Sequence, residues 1–311
     1  MPALKGRNFA SHGYLYNPRR FIGYLSFACN YYFGGVDVTG YHAVNLAVHI
    51  LNGLLVYFLV VLTFVTPYFR RLRTGDQAPR TPVQVTDPES QFPKFVAIFS
   101  ALLFVSHPLQ TQAVTYIVQR FASLATLFYL LSLVMYIKGR LEAGGMRMEA
   151  SDISVKTSDL FSASGLKPLT FFFLSLISAV LAMTTKEIAF TLPLVIILYE
   201  SIFFTAPLKR KLLFFLPVAL TLVIVLLSVM QSGKPLGEIL SDISERTRVE
   251  TQMPRWDYLT TEMRVVTTYI RLLFLPIHQN LDYDYPIYHS LFTPPVFLSF
   301  LFLSALLATA I

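Results

Sequence analysis

The sequence predicts an all-α, polytopic transmembrane helical bundle of about seven spans, with interfacial helices on its outer face. Three observations lead there. Of 311 residues, 54% are hydrophobic and only 14% are charged, where a soluble domain carries roughly 25% charged residues. The charges are confined to short stretches between long apolar runs, which is the pattern of lipid-embedded helices. The basic residues also alternate from loop to loop, as membrane orientation requires.

The spans expected in order are 41–66, 94–106, 113–137, 168–185, 188–205, 212–230 and 295–311. Residues 1–40 read as a partial first outer loop, in which 19–33 form an aromatic helix lying on the membrane surface. The transmembrane core runs over 41–230, the outer loop over 231–294, and 295–311 begin a further span. The second span is too short for a crossing of about 20 residues. It stops at Ser106-His107-Pro108, where proline removes a backbone donor. Such a break is tolerated where protein or a wet cavity surrounds it. Within the outer loop, 236–250 and 257–275 read as amphipathic helices, with Trp256 and Tyr258 at interfacial positions.

Arg70, Arg71, Arg73, Arg80 and Lys94 mark the loop 67–93 as cytoplasmic, as do Lys138, Arg140, Arg147, Lys156 and Lys167 for 138–167. Lys209-Arg210-Lys211 continue the series, whereas the short opposite turns hold only Arg120 and Lys186. The net charge of +7 is thereby explained by orientation, and no nucleic-acid partner is expected. Cys29 is the only cysteine, so no disulfide framework is possible within the chain. The first forty residues lack an apolar core long enough for a signal peptide. The last span ends at Ile311 without a polar flank, which predicts a fragment.

Four polar groups stand out on the first span. His42, Asn45, His49 and Asn52 are spaced three, four and three residues apart, one stripe of a helix. Interhelical hydrogen bonding is the favoured reading, a proton path or metal site the sharper one. The turn His107-Pro108-Leu109-Gln110-Thr111-Gln112, followed by Arg120, reads either as a capped turn or as the polar rim of a substrate cavity. Thr184-Thr185-Lys186-Glu187 reads as an interfacial anchor, or as a place where Lys186 meets a lipid phosphate. Arg264 and Arg271 lie two turns apart on one face, beside Thr260 and Thr267. Guanidinium groups there suit bidentate phosphate binding, with snorkelling as the plainer alternative. Asp282 and Asp284 could hold a divalent metal ion or orient a sugar hydroxyl, and an ordinary polar turn explains them almost as well. No nucleotide-binding loop, nucleophile elbow or zinc-protease motif occurs.

Gly40-Tyr41-His42-Ala43-Val44-Asn45-Leu46 with His49 and Asn52 resembles a helix of GT-C membrane glycosyltransferases, the group that includes the transmembrane and tetratricopeptide-repeat O-mannosyltransferases and bacterial proteins like them. Asn17-Pro18-Arg19-Arg20 through Asn30-Tyr31 resembles the end of their first outer loop. His107-Pro108 with Thr111-Gln112-Ala113-Val114 and Arg120, Lys186-Glu187 with Pro193, and Thr251-Gln252 with Tyr269, Arg271-Leu272 and Asp282 continue the order over essentially the whole chain. The resemblance implies a GT-C-like fold that takes a sugar from a polyprenyl-phosphate carrier at the outer face. The acceptor would be a hydroxyl or other group on protein, lipid or glycan, and the membrane a bacterial inner membrane with a periplasmic active face. It gives donor-phosphate binding to Lys186, Arg264 and Arg271, and a cavity lining to His107, Gln112, Arg120, Glu187 and Asp282. The family's catalytic acid lies early in the first outer loop, and this chain has no Asp or Glu before Asp37, so the acid is expected upstream of Met1. Many relatives carry Glu where Gln112 stands, and the tetratricopeptide repeats are absent. A transporter or lipid flippase, or a non-catalytic membrane scaffold, are the alternatives.

Overall fold

A computed structural model of the chain describes residues 20–74, 91–143, 168–204, 253–280 and 283–310. No strand occurs among the described residues. The chain divides into two compact units, Met1–Val105 with Ala113–Ser228, and Ser106–Gln112 with Val229–Ile311.

In the first unit, α1 (Phe21–Gly34) realises the expected aromatic helix and ends at Gly35. Gly35 has φ +59° and donates its N–H to the Tyr31 carbonyl at 2.8 Å. That left-handed turn carries no penalty only because the residue lacks a Cβ. Asp37 then caps α2 (Val38–Val65), its carboxylate accepting the Thr39 N–H at 3.0 Å. That backbone hydrogen bond, with the one from the Thr39 hydroxyl, holds Asp37 below the usual carboxylate range. The helix is 28 residues long, about 42 Å at 1.5 Å per residue. It stops at Thr66, whose hydroxyl donates to the Thr63 carbonyl at 2.6 Å. Pro67 opens α3 (Pro67–Thr74), where its missing donor costs nothing. Arg70, Arg71 and Arg73 therefore sit on a helix, although the sequence suggested a loop there.

After α4 (Gln91–Ser106) the chain breaks at His107, the expected place. A short α5 (Thr111–Thr115) and a 3-10 turn (Ile117–Gln119) lead into α6 (Arg120–Ala143), and α7 (Pro168–Met183) packs along it. Ser175, Ser178, Ala179 and Ala182 of α7 are buried. Their spacing makes a single face of small side chains, which lets two helices approach closely. Ser132 and Ser175 exploit that approach: each hydroxyl donates to the other's backbone carbonyl, at 2.8 and 2.9 Å. A 3-10 turn (Glu187–Thr191) then leads into α8 (Leu192–Phe203), whose Leu192, Ile196 and Tyr199 join Leu133, Tyr136 and Ile137 in the core. In the second unit, α9 (Arg255–Phe274) packs on α10 (Pro294–Ala310), and the intervening described residues 283–293 are irregular.

Val38–Val65 and Ile117–Ala143 are long and apolar enough to cross a membrane. The number rises to three if α4 and Pro108–Thr115, bent at the His107 break, count as one span. Pro168–Met183 and Pro294–Thr309 are apolar but shorter. The helical class is as expected, while among the described residues two or three of the seven expected spans meet the length and apolarity of a crossing. The expected span 212–230 and the helix over 236–250 lie outside the described residues.

Gly23 of α1 is buried against Phe121, where an added Cβ would fall 2.2 Å from the ring. Gly34 on the same helix has nothing within 4 Å of such an atom. Gly23→Ala is expected to destabilise the protein by about 1–3 kcal/mol through overpacking, and Gly34→Ala to leave it unchanged or slightly stabilised. Thermal unfolding of both variants in one detergent checks the contrast.

Candidate functional site

The polar stripe of α2 reaches outward from its own helix at every position. His42 Nδ1 lies 3.1 Å from the Val114 carbonyl and His49 Nε2 lies 3.0 Å from the Val105 carbonyl. A carbonyl only accepts, so each of those ring nitrogens carries the proton. Asn52 donates to the Ser123 carbonyl at 3.0 Å. Asn45 accepts from Arg120 Nε at 2.7 Å. Asn45 Nδ2 and Asn52 Oδ1 have no partner among the described residues.

Arg120 is 0% exposed. Its Nη2 donates to the Tyr41 carbonyl at 2.8 Å and its Nη1 to the Ser26 carbonyl at 3.4 Å. The guanidinium carbon stands 4.5 Å from the Phe27 ring centre and 5.4 Å from that of Tyr41. A delocalised, weakly hydrated cation tolerates such an enclosure of neutral oxygens and ring faces. The sequence suggested a cavity-lining role, whereas the guanidinium here is spent on protein atoms of α1 and α2.

The turn before α8 holds Lys186 and Glu187. Ile22 donates its N–H to the Thr184 carbonyl at 3.3 Å, joining the turn to α1. Glu187 accepts two parallel hydrogen bonds from Arg20, at 3.1 and 3.0 Å. Partial burial pushes the Glu187 carboxyl up. The hydrogen bond from Arg20 and the charges of Arg20 and Lys186 outweigh that effect and leave it below the ordinary range. Lys186 is half-buried and has no ion pair within 4 Å among the described residues.

Sequence reasoning missed an ion pair deeper in the same unit. Arg140 Nη2 meets Glu200 Oε1 at 2.6 Å, with side chains only 8% and 4% exposed. Arg140 Nε reaches both carboxylate oxygens, at 3.2 and 3.0 Å, and the Tyr136 hydroxyl donates to Oε2 at 3.2 Å. The signal was present: Glu200 is the single acid in the apolar run Leu192–Phe203, and an ionisable residue there needs a partner.

In the second unit, both nitrogens of His107 are engaged. Nδ1 accepts the Leu109 N–H at 3.2 Å, and Nε2 donates to the Leu273 carbonyl at 3.0 Å, near the end of α9. Gln112 is half-buried. On α9, Asp257, Thr260, Thr261, Arg264, Thr268 and Arg271 follow helical spacing along one stripe. Arg264 is half-buried and Arg271 exposed, and neither forms an ion pair among the described residues. Asp257 accepts from His289 Nδ1 at 2.6 Å, a pair the sequence did not suggest. Thr260 donates to the Tyr288 carbonyl, and Thr261 accepts the Tyr288 N–H at 3.0 Å. Asp282 lies outside the described residues, and Asp284 is exposed. Among the described residues no group of three or more His, Cys, Asp or Glu side chains could hold a metal ion.

Comparison with known proteins bears on this arrangement. Over 114 residues the chain is 32% identical to protein O-mannosyl-transferase TMTC2 of Homo sapiens, a match covering 37% of the chain and 10% of the relative. Over 116 residues it is 34% identical to protein O-mannosyl-transferase TMTC4 of Homo sapiens, covering 37% and 14%. The TMTC2 protein of Mus musculus gives 32% over 114 residues. The chain is a partial relative of the TMTC O-mannosyl-transferases. The match spans about a tenth of the TMTC2 proteins, and the full-length resemblance expected from motif order is established over that 37% of the chain. No protein-family model matches the chain, and no solved structure does.

Two outcomes follow from these contacts. Glu200→Gln alone removes the charge that faces the Arg140 guanidinium and is expected to cost about 3–5 kcal/mol, while Arg140→Met combined with Glu200→Leu recovers most of that loss. Denaturation of wild type and the two variants in detergent decides it, and a double variant no more stable than Glu200→Gln would contradict the coupling. Because the folded-state value of Glu187 is depressed, its contact with Arg20 contributes fully above the ordinary glutamate pKa of about 4.3 and is lost as pH falls through the lower folded value. The stability difference between wild type and Glu187→Gln should therefore be small at neutral pH, well under about 1 kcal/mol for so exposed a pair. It should vanish in strong acid, as read by melting across pH 2–7.

Proposed function

We propose that the protein is a membrane glycosyltransferase that moves a sugar from a polyprenyl-phosphate donor to a hydroxyl of a protein or glycan acceptor at the outer face of the membrane. The observation that carries this reading is the identity of about a third with O-mannosyl-transferases over 37% of the chain. The geometry supports it in three ways. Lys186, Arg264 and Arg271 are cations without ion-pair partners among the described residues, the state a phosphate-binding group needs before its ligand arrives. Arg264 and Arg271 share a helix face with hydroxyl-bearing threonines, which suits a phosphate flanked by neutral donors. The loop asymmetry of the sequence supports reading the turn at Lys186 and the loop 231–294 as outer segments.

In this reading a cation that holds the donor's single phosphate also stabilises the charge that grows there as the anomeric bond breaks. A divalent metal ion, if one takes part, would draw on Asp282 and Asp284, two carboxylates two residues apart in the outer loop. The membrane lipid supplies both the solvent of the helices and the carrier of the sugar.

The test is transfer of radiolabelled mannose from polyprenyl-phosphate mannose by the protein in proteoliposomes. Arg264→Ala is expected to lower kcat/KM by about a hundredfold, and Lys186→Ala by a comparable amount. Full activity in both variants counts against the phosphate assignment, and flux of labelled lipid without a covalent product counts against the transferase reading.

A further inference from the structure

The short helix α3 has no part in the transferase reading. Its eight residues, PYFRRLRT, carry three arginines and no acid. No acid occurs anywhere between Asp37 and Asp76. Thr66 alone separates α3 from α2, and its carbonyl accepts the Arg70 N–H at 3.1 Å. At about 42 Å, α2 is longer than a hydrocarbon core of about 30 Å. That length carries its end, and α3 with it, into the headgroup layer.

Phe69 fixes the rotation of α3. Its ring centre stands 4.8 Å from that of Phe64 on α2 and 6.1 Å from that of Phe203 on α8. Tyr68 meets Phe203 edge-on at 5.9 Å, and Phe64 meets Phe92 of α4 at 6.2 Å. Aromatic rings gathered at the ends of several helices suit the boundary between membrane and water. With Phe69 turned inward, the helical period turns two edges outward. Tyr68 and Leu72, four residues apart, make an apolar edge that is 44% and 67% exposed. Arg70 and Arg71 make a cationic edge and are also exposed. Water favours the second edge and not the first. A headgroup layer satisfies both, because the apolar edge meets acyl chains while the guanidiniums reach phosphates. The single acid of α8, Glu200, is committed to Arg140 and Tyr136, so α8 does not balance the charge of α3.

We propose that α3 binds the headgroup of an anionic phospholipid, with Arg70 and Arg71 on its phosphate and Tyr68 and Leu72 against its acyl chains. The proposal is independent of the transferase reading. Charge complementarity selects the lipid class. A zwitterionic headgroup carries its own cation beside the phosphate, whereas an anionic one leaves the phosphate to the protein. A guanidinium takes two phosphate oxygens at once, and each basic residue at a negatively charged surface is worth about fivefold in affinity. A lipid seated there braces the corner where α2 turns into α3 against the end of α8.

The experiment titrates the 311-residue chain, purified in a non-ionic detergent, with acyl-labelled phosphatidylglycerol and acyl-labelled phosphatidylcholine. Wild type should bind phosphatidylglycerol more tightly by about tenfold or more, and raising salt from about 0.05 to about 0.5 M should erode that preference. Arg70→Gln should weaken phosphatidylglycerol by about fivefold, and Arg70→Gln with Arg71→Gln by about twenty-fivefold, with phosphatidylcholine unchanged. Arg70→Lys with Arg71→Lys keeps the charge and should stay within about threefold of wild type, which separates lost charge from lost fold. Leu72→Gln should weaken both lipids alike. Arg255→Gln, which removes one charge from the second unit, should stay within about twofold. Equal binding of the two lipids by wild type, or undiminished phosphatidylglycerol binding in the double glutamine variant, overturns the proposal. Displacement of the lipid by millimolar inorganic phosphate would make this a free-anion site, and displacement by poly-glutamate would make it a surface for an acidic protein. Either result overturns the lipid assignment.

Discussion

A cation that cannot be hydrated organises one end of the first unit. Arg120 opens α6, is wholly enclosed, and forms no ion pair among the described residues. Its charge is dispersed over carbonyls of α1 and α2, the Asn45 amide and two aromatic faces. Removing such a group from water costs several kcal/mol, so each of those contacts must be in place together. The stripe on α2 then reads as one consequence: Asn45 turns its oxygen to the guanidinium, and His42 and His49 take up neighbouring carbonyls left open by the breaks at Val105 and Val114.

The same helix carries a second enclosed arginine at its far end. Arg120 and Arg140 are separated by about 30 Å along α6 at 1.5 Å per residue, which is the thickness of a bilayer's hydrocarbon core. The two ends are solved differently. One guanidinium rests among neutral oxygens, and the other is neutralised by Glu200 and a tyrosine hydroxyl. A helix with an enclosed charge near each end is fixed in register against its neighbours, since sliding either way would part both guanidiniums from their partners.

Much of this was legible in the sequence. The helices α1, α2, α4, α6, α9 and α10 follow from runs of apolar residues and from their stop signals, Gly35, Pro67 and His107-Pro108, because such signals act locally. The stripe on α2 was legible as a stripe, since periodicity places residues on a face. Its partners were not, because hydrogen bonds to Val105, Val114 and Ser123 depend on which segment lies alongside. The same limit hid the Arg140–Glu200 and Asp257–His289 pairs, whose members stand 60 and 32 residues apart. Arg140 carried a misleading signal as well: it reads as a loop cation until α6 is seen to continue to Ala143. Among the described residues two or three of the seven expected spans meet the test of a crossing, because 3-10 turns interrupt apolar runs, as at Glu187–Thr191 ahead of the 12 residues of α8.

The reciprocal serines of α6 and α7 bear on how such a protein is built. Ser132 and Ser175 satisfy each other's hydroxyls within α6 and α7, and the facing side chains of α7 are small. That seam therefore presents lipid with no polar debt of its own. The rest of α6 has no such independence, because Arg120 draws on α1 and α2 and Arg140 on Glu200 of α8. Assembly order is thus written into the side-chain partners: the serine seam closes by itself, Arg120 meets partners already synthesised, and Arg140 waits for α8.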